Sequence, residues 1–394
     1  MRSNGRELQH LTGVEHLCTL FYRCTGFYRS NDGGIIKITE VQTIPIGDAR
    51  LVHVLTDEGI AGIGEVAHDC HPDTVAFAIR QLSLAGMDPR RIEDFWQRTY
   101  EDTFWRGGPI HTSAISGVEH ALWDIKAKAL GVPVNHLVGG PMRERVKVYT
   151  HFGRRGTTPD EYAASALGAV EMGFRAIKAD PFDPDNFSMD AAAMHTAADR
   201  IRKTREAVGN DVDILIECHG FLSAATAIRV GKMLEEFAPL FYEESVPPEN
   251  VDEMAKVAAA VNIPLATGER LYTRYAFREI LEKQIVAYIQ PDLCHCGGFN
   301  EGRKIAAMAE PYHVKVCPHN PNGPISTLVG AHFGACTANF EMLEIMRPGA
   351  PRTDLSPLFE QMPAPRDGFL EVPDRPGWGV ELSGDFLSKF PPED

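Results

Sequence analysis

The chain has 394 residues, of which 44% are hydrophobic, and this is enough to bury a large core in more than one compact unit. Its net charge of −15, from 54 acidic and 39 basic residues, argues against a nucleic-acid-binding surface, because phosphate backbones need clustered lysines and arginines. Eight sparse cysteines and the lack of an apolar run near about 20 residues predict a cytoplasmic protein without a disulfide framework or a membrane span.

The first part of the chain predicts a small α+β domain. Residues 1–35 form an N-terminal extension of uncertain order, and residues 36–145 form the domain itself. Residues 50–65 alternate like a hairpin with its turn at Asp57 to Gly59, and residues 112–130 have helical periodicity. Strands that are followed by helices are typical of an α+β fold.

From residue 146 to about residue 350, short apolar runs alternate with helical segments. Thr158, Pro159 and two acidic residues begin one such helix, as a capping residue followed by proline should. Alternating strands and helices predict a parallel sheet. The eight apolar runs are "VKVYTH", "FRAIKAD", "VDILIECH", "LFYEES", "IPLATGE", "VAYIQPD", "HVKVCPH" and "FEMLEI".

A charged or imidazole side chain stands at or near the end of six successive runs. The spacings between these six residues are 26, 26, 23, 27 and 25, each about one strand–helix unit. A (β/α) barrel brings all its strand ends to one face, where active sites are built, so the pattern predicts an α/β fold with a modified TIM barrel. A doubly wound sheet is the competing architecture, but no glycine-rich phosphate loop follows the first strand. The six residues are Glu217, Glu243, Glu269, Asp292, His319 and Glu344.

Glu217, Glu243 and Glu269 are the candidate metal ligands. Three carboxylates on adjacent strand ends would repel one another, and a divalent cation relieves that repulsion. Ligands that are all oxygen favour a hard ion, Mg²⁺ before Zn²⁺. The alternative is that each acid caps a helix or pairs with a basic residue.

Asp292 and His319 are the candidate general base, because an aspartate that binds one imidazole nitrogen fixes the tautomer and raises the basicity of the other. His219, two residues beyond Glu217, faces the same side if the strand stays extended, and it could protonate a leaving group. Lys178 ends the second run and could stabilise a substrate anion, and Asp180 faces the same mouth. Packed or solvated versions of His219 and Lys178 are the alternatives.

The stretch "CHCGG" at 294–298 invites a zinc interpretation. Structural zinc sites usually combine two halves of the Cys-x-x-Cys type. Here the spacing is Cys294, His295, Cys296, and no second half is evident beyond Cys317. Zinc is therefore disfavoured.

Six stretches together resemble the enolase superfamily, in its mandelate racemase subgroup, with the nearest likeness to galactonate dehydratase-like sugar-acid dehydratases. The resemblance covers about residues 36–385. The stretches are "RGGPIHTSAISGVEHALWDIKAKALGVPV", "IECHG", "YEESVPPEN", "ATGERLY", "IQPDLCHCGG" and "CPHNPNGP".

The resemblance implies an enolase-like fold, in which an N-terminal capping domain covers the barrel of residues 146–350. Residues 351–394 would return to the cap, through "GWGVEL". The resemblance also implies that Glu217, Glu243 and Glu269 bind Mg²⁺ and that Asp292 and His319 form the catalytic dyad. His219 would help the β-hydroxyl leave. Glu344 would donate a hydrogen bond to the substrate carboxylate, which requires a protonated carboxyl and therefore a raised pKa.

The implied reaction is Mg²⁺-assisted abstraction of the α-proton of a sugar acid through an ene-diolate, followed by loss of the β-hydroxyl to give a 2-keto-3-deoxy acid. Two departures from the subgroup matter. The first metal position is Glu217 where aspartate is frequent. The lysine pair of the racemases is replaced by Lys178-Ala179-Asp180, which disfavours racemisation with two bases.

Substrate identity is the least determined property. Trp105 and Arg106, in "FWRGG", are candidates for a substrate-binding wall, together with Asp180. An epimerase, racemase or cycloisomerase of a related acid is the alternative reaction, and a non-catalytic binding protein is the distant alternative. Family members are commonly homo-oligomers, often octamers, so the resemblance predicts a homo-oligomer.

Overall fold

The computed structural model describes residues 35–46, 49–66, 71–102, 104–153, 157–183, 187–347, 359–360, 362–384 and 386–393. The extension predicted over residues 1–35 therefore lies outside the described residues, except for its last one. Within the described residues, no helix combines the length and the apolar character that a membrane crossing needs.

The N-terminal part pairs three antiparallel strands with three helices. The strands are β1 (Ile38–Ile46), β2 (Ala49–Thr56) and β3 (Ala61–Val66), in the order β1-β2-β3, and the predicted hairpin is confirmed as β2 and β3. The helices are α1 (Pro72–Arg80), α2 (Ile92–Asp102) and α3 (Pro109–Leu130).

Helix α3 differs from its prediction in two ways. It begins at Pro109, three residues early, because proline suits a first helical turn. It is also buried on more than one stripe, since it packs between the sheet and the barrel. Gly62 and Gly64 make the contact with β3 possible: a side chain at either position would collide with the carbonyl oxygen of Ala121 or Gly117.

All eight apolar runs form strands of one parallel sheet, in the order β10-β9-β8-β7-β6-β5-β4-β11. Val316 closes the ring, because it bridges Phe340 and its backbone bonds Asn339 O at 3.0 Å and Glu341 N at 2.9 Å. The modified barrel is thus confirmed. The strands are β4 (Arg145–His151), β5 (Ala176–Ala179), β6 (Asp213–Glu217), β7 (Phe241–Glu243), β8 (Leu265–Thr267), β9 (Tyr288–Ile289), β10 (Lys315–Val316) and β11 (Leu343–Glu344).

Seven α-helices follow the first seven barrel strands in turn. Thr158 caps α4 as predicted: its hydroxyl accepts a hydrogen bond from Glu161 N at 3.3 Å, and Glu161 Oε2 accepts one from Thr158 N at 2.7 Å. The helices are α4 (Pro159–Glu171), α5 (Ala191–Val208), α6 (Ala224–Leu234), α7 (Val251–Ala260), α8 (Thr273–Lys283), α9 (Phe299–Ala309) and α10 (Pro324–Cys336), with 3₁₀ turns at Val134–Val138, Glu235–Phe237 and Glu310–Tyr312.

The C-terminal residues contact both the barrel and helix α3. They form β12 (Phe359–Glu360), β13 (Phe369–Glu371), β14 (Glu381–Leu382) and α11 (Phe386–Lys389), and β13 pairs with the start of β4. Trp378 is buried: its backbone donates to Asp124 Oδ1 at 2.9 Å, and its indole donates to His120 O at 3.1 Å. The stretch "GWGVEL" does return to the N-terminal part.

Candidate active site

The three predicted carboxylates meet at the C-terminal ends of β6, β7 and β8. Glu217 and Glu243 are register partners at the last residues of neighbouring parallel strands, and Glu269 follows β8 by two residues. One oxygen from each lies within 4.8 Å of the other two. Glu217 and Glu243 are fully buried, whereas the side chain of Glu269 is 14% exposed. The three oxygens therefore form a compact, oxygen-only cluster.

Lys178 lies among these carboxylates, on the neighbouring strand β5. Its Nζ is 2.8 Å from Glu243 Oε1, 3.3 Å from Glu217 Oε2 and 3.0 Å from Glu344 Oε1. One ammonium cannot neutralise this many carboxylates. Burial and the charge of Glu269 raise the pKa of Glu217 to about 7, against the effect of Lys178. Burial and the charge of Glu217 raise the pKa of Glu243 to about 8.

The cluster fits a divalent cation. Among the described residues, Glu217 Oε2 and Glu243 Oε2 are buried without a hydrogen-bond partner, although Lys178 lies near the first. Buried carboxylate oxygens that lack a donor are costly, and a metal ion supplies the missing positive charge. All-carboxylate sets suit hard cations.

His319 and Asp292 form the predicted dyad. His319 Nδ1 is 2.8 Å from Asp292 Oδ2, and its Nε2 is 3.3 Å from Glu269 Oε2. Asn322 Nδ2 donates to the same Asp292 oxygen at 3.1 Å, and Cys294 N donates to Asp292 Oδ1 at 2.7 Å. These bonds hold the aspartate rigidly behind the imidazole, with Nε2 directed at the carboxylate cluster.

The protonation of the dyad follows from its neighbours. Burial disfavours a charged imidazole, but Glu269 and the hydrogen bond to Asp292 outweigh burial and raise the pKa of His319 to about 10. Burial likewise opposes the ionisation of Asp292, but His295 and His319 hold the pKa of Asp292 below its ordinary value. Without a cation at Glu269, the dyad is therefore an ion pair.

His219 lies on the opposite side of the cluster and has an aspartate partner of its own. Its Nδ1 is 2.8 Å from Asp180 Oδ2 and 3.9 Å from Glu217 Oε1. Strand β6 ends at Glu217, and His219 has φ of +51°, so the condition that the strand stays extended as far as His219 is not met. The turn is fixed by His219 N, which donates to Glu217 Oε1 at 2.6 Å.

Glu344 does not have the environment that was expected. Its carboxylate forms an ion pair with Lys178 and contacts the His151 imidazole. It also accepts hydrogen bonds from the Tyr149 hydroxyl at 3.3 Å and from Asn320 N at 3.1 Å. Although burial opposes its charge, Lys178 and His151 hold the pKa of Glu344 well below its ordinary value. The raised pKa expected for Glu344 is wrong, because the Lys178 ammonium and the His151 imidazole, both remote in the sequence, meet at this carboxylate.

Comparisons with known proteins agree with this architecture. Residues 37–139 match the family described as mandelate racemase / muconate lactonizing enzyme, N-terminal domain, and residues 161–386 match the family described as enolase C-terminal domain-like. This chain belongs to the enolase superfamily, in the mandelate racemase subgroup.

Relatives of this enolase-superfamily chain align over most of their length. The D-galactonate dehydratase of Pectobacterium atrosepticum is 38% identical over 360 residues, which are 89% of this chain and 94% of that protein. The D-galactonate dehydratase of Ralstonia nicotianae is 37% identical over 355 residues, which are 88% of this chain and 92% of that protein.

Solved structures give the same result. A member of the enolase superfamily from Salmonella Typhimurium is 38% identical, with a TM-score of 0.85, and the match covers 91% of this chain and 99% of that one. A mandelate racemase/muconate lactonizing enzyme from Sulfitobacter sp. is 32% identical, with a TM-score of 0.81, and the match covers 91% and 96%.

The remaining candidate residues of this superfamily member lie on the loops that precede α3 and α9. Trp105 and Arg106 are on an exposed loop between α2 and α3, where Trp105 is 84% exposed and contacts Phe104 edge-on at 5.1 Å. In "CHCGG", the Cys294 thiol contacts Ser326 Oγ at 3.2 Å, and His295 Nδ1 contacts Ser113 Oγ at 2.7 Å. These side chains thus diverge towards different elements.

Two site residues were missed in the sequence. His151 ends β4 and contacts Glu344, and a polar residue at a strand end was its only signal. Glu244 follows Glu243 directly, yet it is buried in another direction, where its Oε2 accepts a hydrogen bond from Arg270 Nε at 2.9 Å and its Oε1 accepts one from Gly268 N at 3.2 Å. Glu244 thereby braces the turn that carries Glu269.

Proposed function

We propose that this protein is a Mg²⁺-dependent hydro-lyase that dehydrates a sugar acid of the aldonate class, with D-galactonate as the first candidate. The observation that carries the proposal is the pair of histidines on either side of the three carboxylates. Each histidine lies 2.8 Å from its own aspartate, one near Glu269 and the other near Glu217. The relatives named as D-galactonate dehydratases support the choice of substrate class.

In this proposal, Glu217, Glu243 and Glu269 hold the metal ion. Their oxygen-only set favours Mg²⁺ over Zn²⁺. When bound, Mg²⁺ supplies positive charge that stabilises the negative charge developing on the substrate carboxylate. The three residues keep their carboxylates ionised for this purpose only when a cation compensates their mutual repulsion.

His319 takes the proton from the carbon next to the substrate carboxylate. Asp292 fixes the tautomer in which Nδ1 carries the proton and Nε2 is free to accept another. Nε2 must be unprotonated to act as a base. The negative charge of Glu269 raises the pKa of His319, and a cation beside Glu269 would cancel much of that charge. The dyad then carries the positive charge formed when His319 accepts the proton.

His219 protonates the departing β-hydroxyl, and Asp180 orients the imidazole for this step. The α-carbon–hydrogen bond and the β-carbon–oxygen bond break. A double bond forms between the α-carbon and the β-carbon, and the hydroxyl leaves as water. The resulting enol tautomerises to a 2-keto-3-deoxy acid. Two histidines with separate aspartates allow one to act as base while the other acts as acid.

Lys178 and Glu344 complete the proposed site beside the carboxylates. Lys178 offers the buried positive charge nearest to the metal ligands, and an ionised Glu344 accepts rather than donates hydrogen bonds, for example from a substrate hydroxyl. Substrate contacts by Trp105, Arg106 and Asp180 stay predictions, as do a homo-oligomeric assembly and a cytoplasmic location. A single base on the His319 side favours elimination over racemisation.

The experiment that tests this function is a screen of the purified protein with Mg²⁺ against aldonic and aldaric acids, with detection of 2-keto acids. EDTA and His319→Asn are the controls. One acid should be converted, and both controls should abolish its conversion. Equal conversion by His319→Asn would contradict the assignment of the base, and deuterium at the α-carbon of recovered starting material, without keto acid, would point to the epimerase alternative.

A further inference from the structure

Two buried carboxylates from the N-terminal part bind the starts of the barrel helices that follow Asp292 and His319. Glu65 lies on β3 and Glu119 lies on α3, and neither side chain is exposed to solvent. A buried carboxylate is costly unless several donors satisfy it. In both cases, backbone N–H groups at the start of a barrel helix are among those donors.

Glu65 binds the start of α10. Its Oε1 accepts a hydrogen bond from Gly323 N, and its Oε2 accepts one from Ser326 N at 3.0 Å. The loop that precedes α10 carries His319 and Asn322, and Asn322 donates to Asp292. Glu65 therefore fixes the end of the loop that carries His319, one of the two dyad residues.

Glu119 binds the start of α9 in the same way. Its Oε2 accepts a hydrogen bond from Phe299 N and its Oε1 accepts one from Asn300 N, both at 2.9 Å. The loop that precedes α9 carries Asp292. Ser116, one helical turn before Glu119, accepts a hydrogen bond from Gly297 N in this loop at 3.0 Å. Both halves of the dyad thus lie on loops that the N-terminal part holds.

Helices α9 and α10 lack capping side chains of their own. Helices α4 to α7 are capped by their own preceding side chains, which are Thr158, Asp190, Ser223 and Asn250. In contrast, α9 and α10 have Gly298 and Gly323 at the capping position, with no side-chain cap of their own. A Cβ at either glycine would collide with the Glu119 or Glu65 carboxylate.

We infer that Glu65 and Glu119 are positioning residues for the proposed base. Glu65 holds the loop that carries His319 against the N-terminal part, and Glu119 holds the loop that carries Asp292 in the same way. The inference rests on the proposed function only in that it takes His319 as the base. Each acts through the loop whose backbone N–H groups it binds. A role confined to helix stability is the competing account, and kinetics separate the two.

The test compares Glu65→Gln and Glu119→Gln with Thr158→Ala, which removes a helix cap away from the dyad. A glutamine directs an amide N–H towards one of the two backbone donors, so one hydrogen bond is lost. Small displacements of reacting groups cost up to about a hundredfold in rate. Each glutamine variant should lower kcat about tenfold to a hundredfold, keep KM within about twofold, and enlarge the isotope effect of a C2-deuterated substrate.

If the glutamine variants lose thermal stability as Thr158→Ala does but keep kcat and the isotope effect, both residues are structural caps and the inference is wrong. If Glu65→Gln does not fold, Glu119→Gln carries the same comparison.

A second readout does not need turnover. The rate at which diethylpyrocarbonate modifies His319, followed by peptide mass spectrometry, should change in the glutamine variants and stay constant in Thr158→Ala. An unchanged rate in all variants overturns the inference. If the protein without substitutions converts no sugar acid, the proposed function fails, but the rate of His319 modification still tests the positioning role.

Discussion

His219 Nδ1 lies 2.8 Å from Asp180 Oδ2, the same distance that separates His319 Nδ1 from Asp292 Oδ2. The two pairs stand on opposite sides of Glu217 and Glu269, and the second pair is the more enclosed: the side chain of His219 is 38% exposed, against 17% for His319. The proposed base is thus more buried than the proposed acid.

The two aspartates should be separable by an isotope effect. Asp292→Asn weakens the base, so proton abstraction slows and the isotope effect of C2-deuterated substrate on kcat/KM increases. Asp180→Asn weakens the acid, so loss of the hydroxyl becomes limiting and that isotope effect falls towards one. Both variants should lose about tenfold to a thousandfold in kcat. Isotope effects that change in the same direction would contradict the assignment of separate roles.

Lys178 should be essential for the stability of the metal-free protein. Lys178→Met leaves Glu217, Glu243 and Glu344 without their buried cation, and breaking a buried pair in this way costs about 3 to 5 kcal/mol. Urea denaturation in EDTA measures the loss, and added Mg²⁺ should recover part of it, because the ion replaces the missing charge.

Lys147→Met is the matched control, because Lys147 pairs with Asp213 at 2.7 Å near the surface. A pair of this exposure is worth at most about 1 kcal/mol. Equal losses in the two variants would show that Lys178 does not hold the carboxylate cluster together.

Mg²⁺ binding should release protons near neutral pH. The pKa of Glu217 is raised to about 7 and that of Glu243 to about 8, mainly by burial, so both carry protons that a cation must displace. Affinity should therefore rise with pH between about 6 and 8 and then level off. Calorimetry in buffers of different ionisation enthalpy counts the protons released on Mg²⁺ binding. The Glu243→Gln variant should release fewer protons than the original protein. Binding that is independent of pH would contradict the proposed ligands.

Acid should weaken the packing around Trp378 through two buried histidines. Burial lowers the pKa of His120 and of His332 from 6.5 to about 4, so the folded protein binds fewer protons than the unfolded chain. The contribution of these two neutral histidines to the free energy of unfolding is fully present above about pH 6.5. It is lost as the pH falls towards 4, by at most about 1.4 kcal/mol per pH unit for each histidine.

His332→Gln tests this, because an amide keeps a donor for Trp378 O, which lies 3.3 Å from His332 Nε2. The urea midpoint of this variant should decline less steeply than that of the original protein between pH 6.5 and 4.5. Glu119 titrates in the same range with the opposite sign, since burial raises its pKa to about 7, so the difference between the two proteins isolates His332. Parallel declines would exclude His332 as a contributor.

The barrel was predictable because its signals are local. Each strand is a short apolar run that ends on a polar residue, and the regular spacing of those ends specifies parallel strands on one face. For this reason the sequence alone predicts that Glu217, Glu243 and Glu269 lie together, and that Asp292 pairs with His319 across 27 residues.

What the sequence did not indicate depends on distances between remote segments. Lys178 and His151 converge on Glu344 and reverse the expected protonation, and Asp180 reaches His219 only because the chain turns after β6. Glu65 resembles any polar residue of a hairpin until its contact with α10, 258 residues later, is seen. Pairings of this kind are set by packing, which periodicity does not encode.

The most direct measurement follows the α-hydrogen of D-galactonate by NMR in D₂O with Mg²⁺ and two variants. His219→Asn keeps the base but lacks the acid, so the account predicts that deuterium enters C2 with no 2-keto acid formed. His319→Asn should give neither exchange nor product. If His219→Asn makes keto acid at the original rate, or if His319→Asn exchanges the α-hydrogen, the division of labour between the two histidines is wrong.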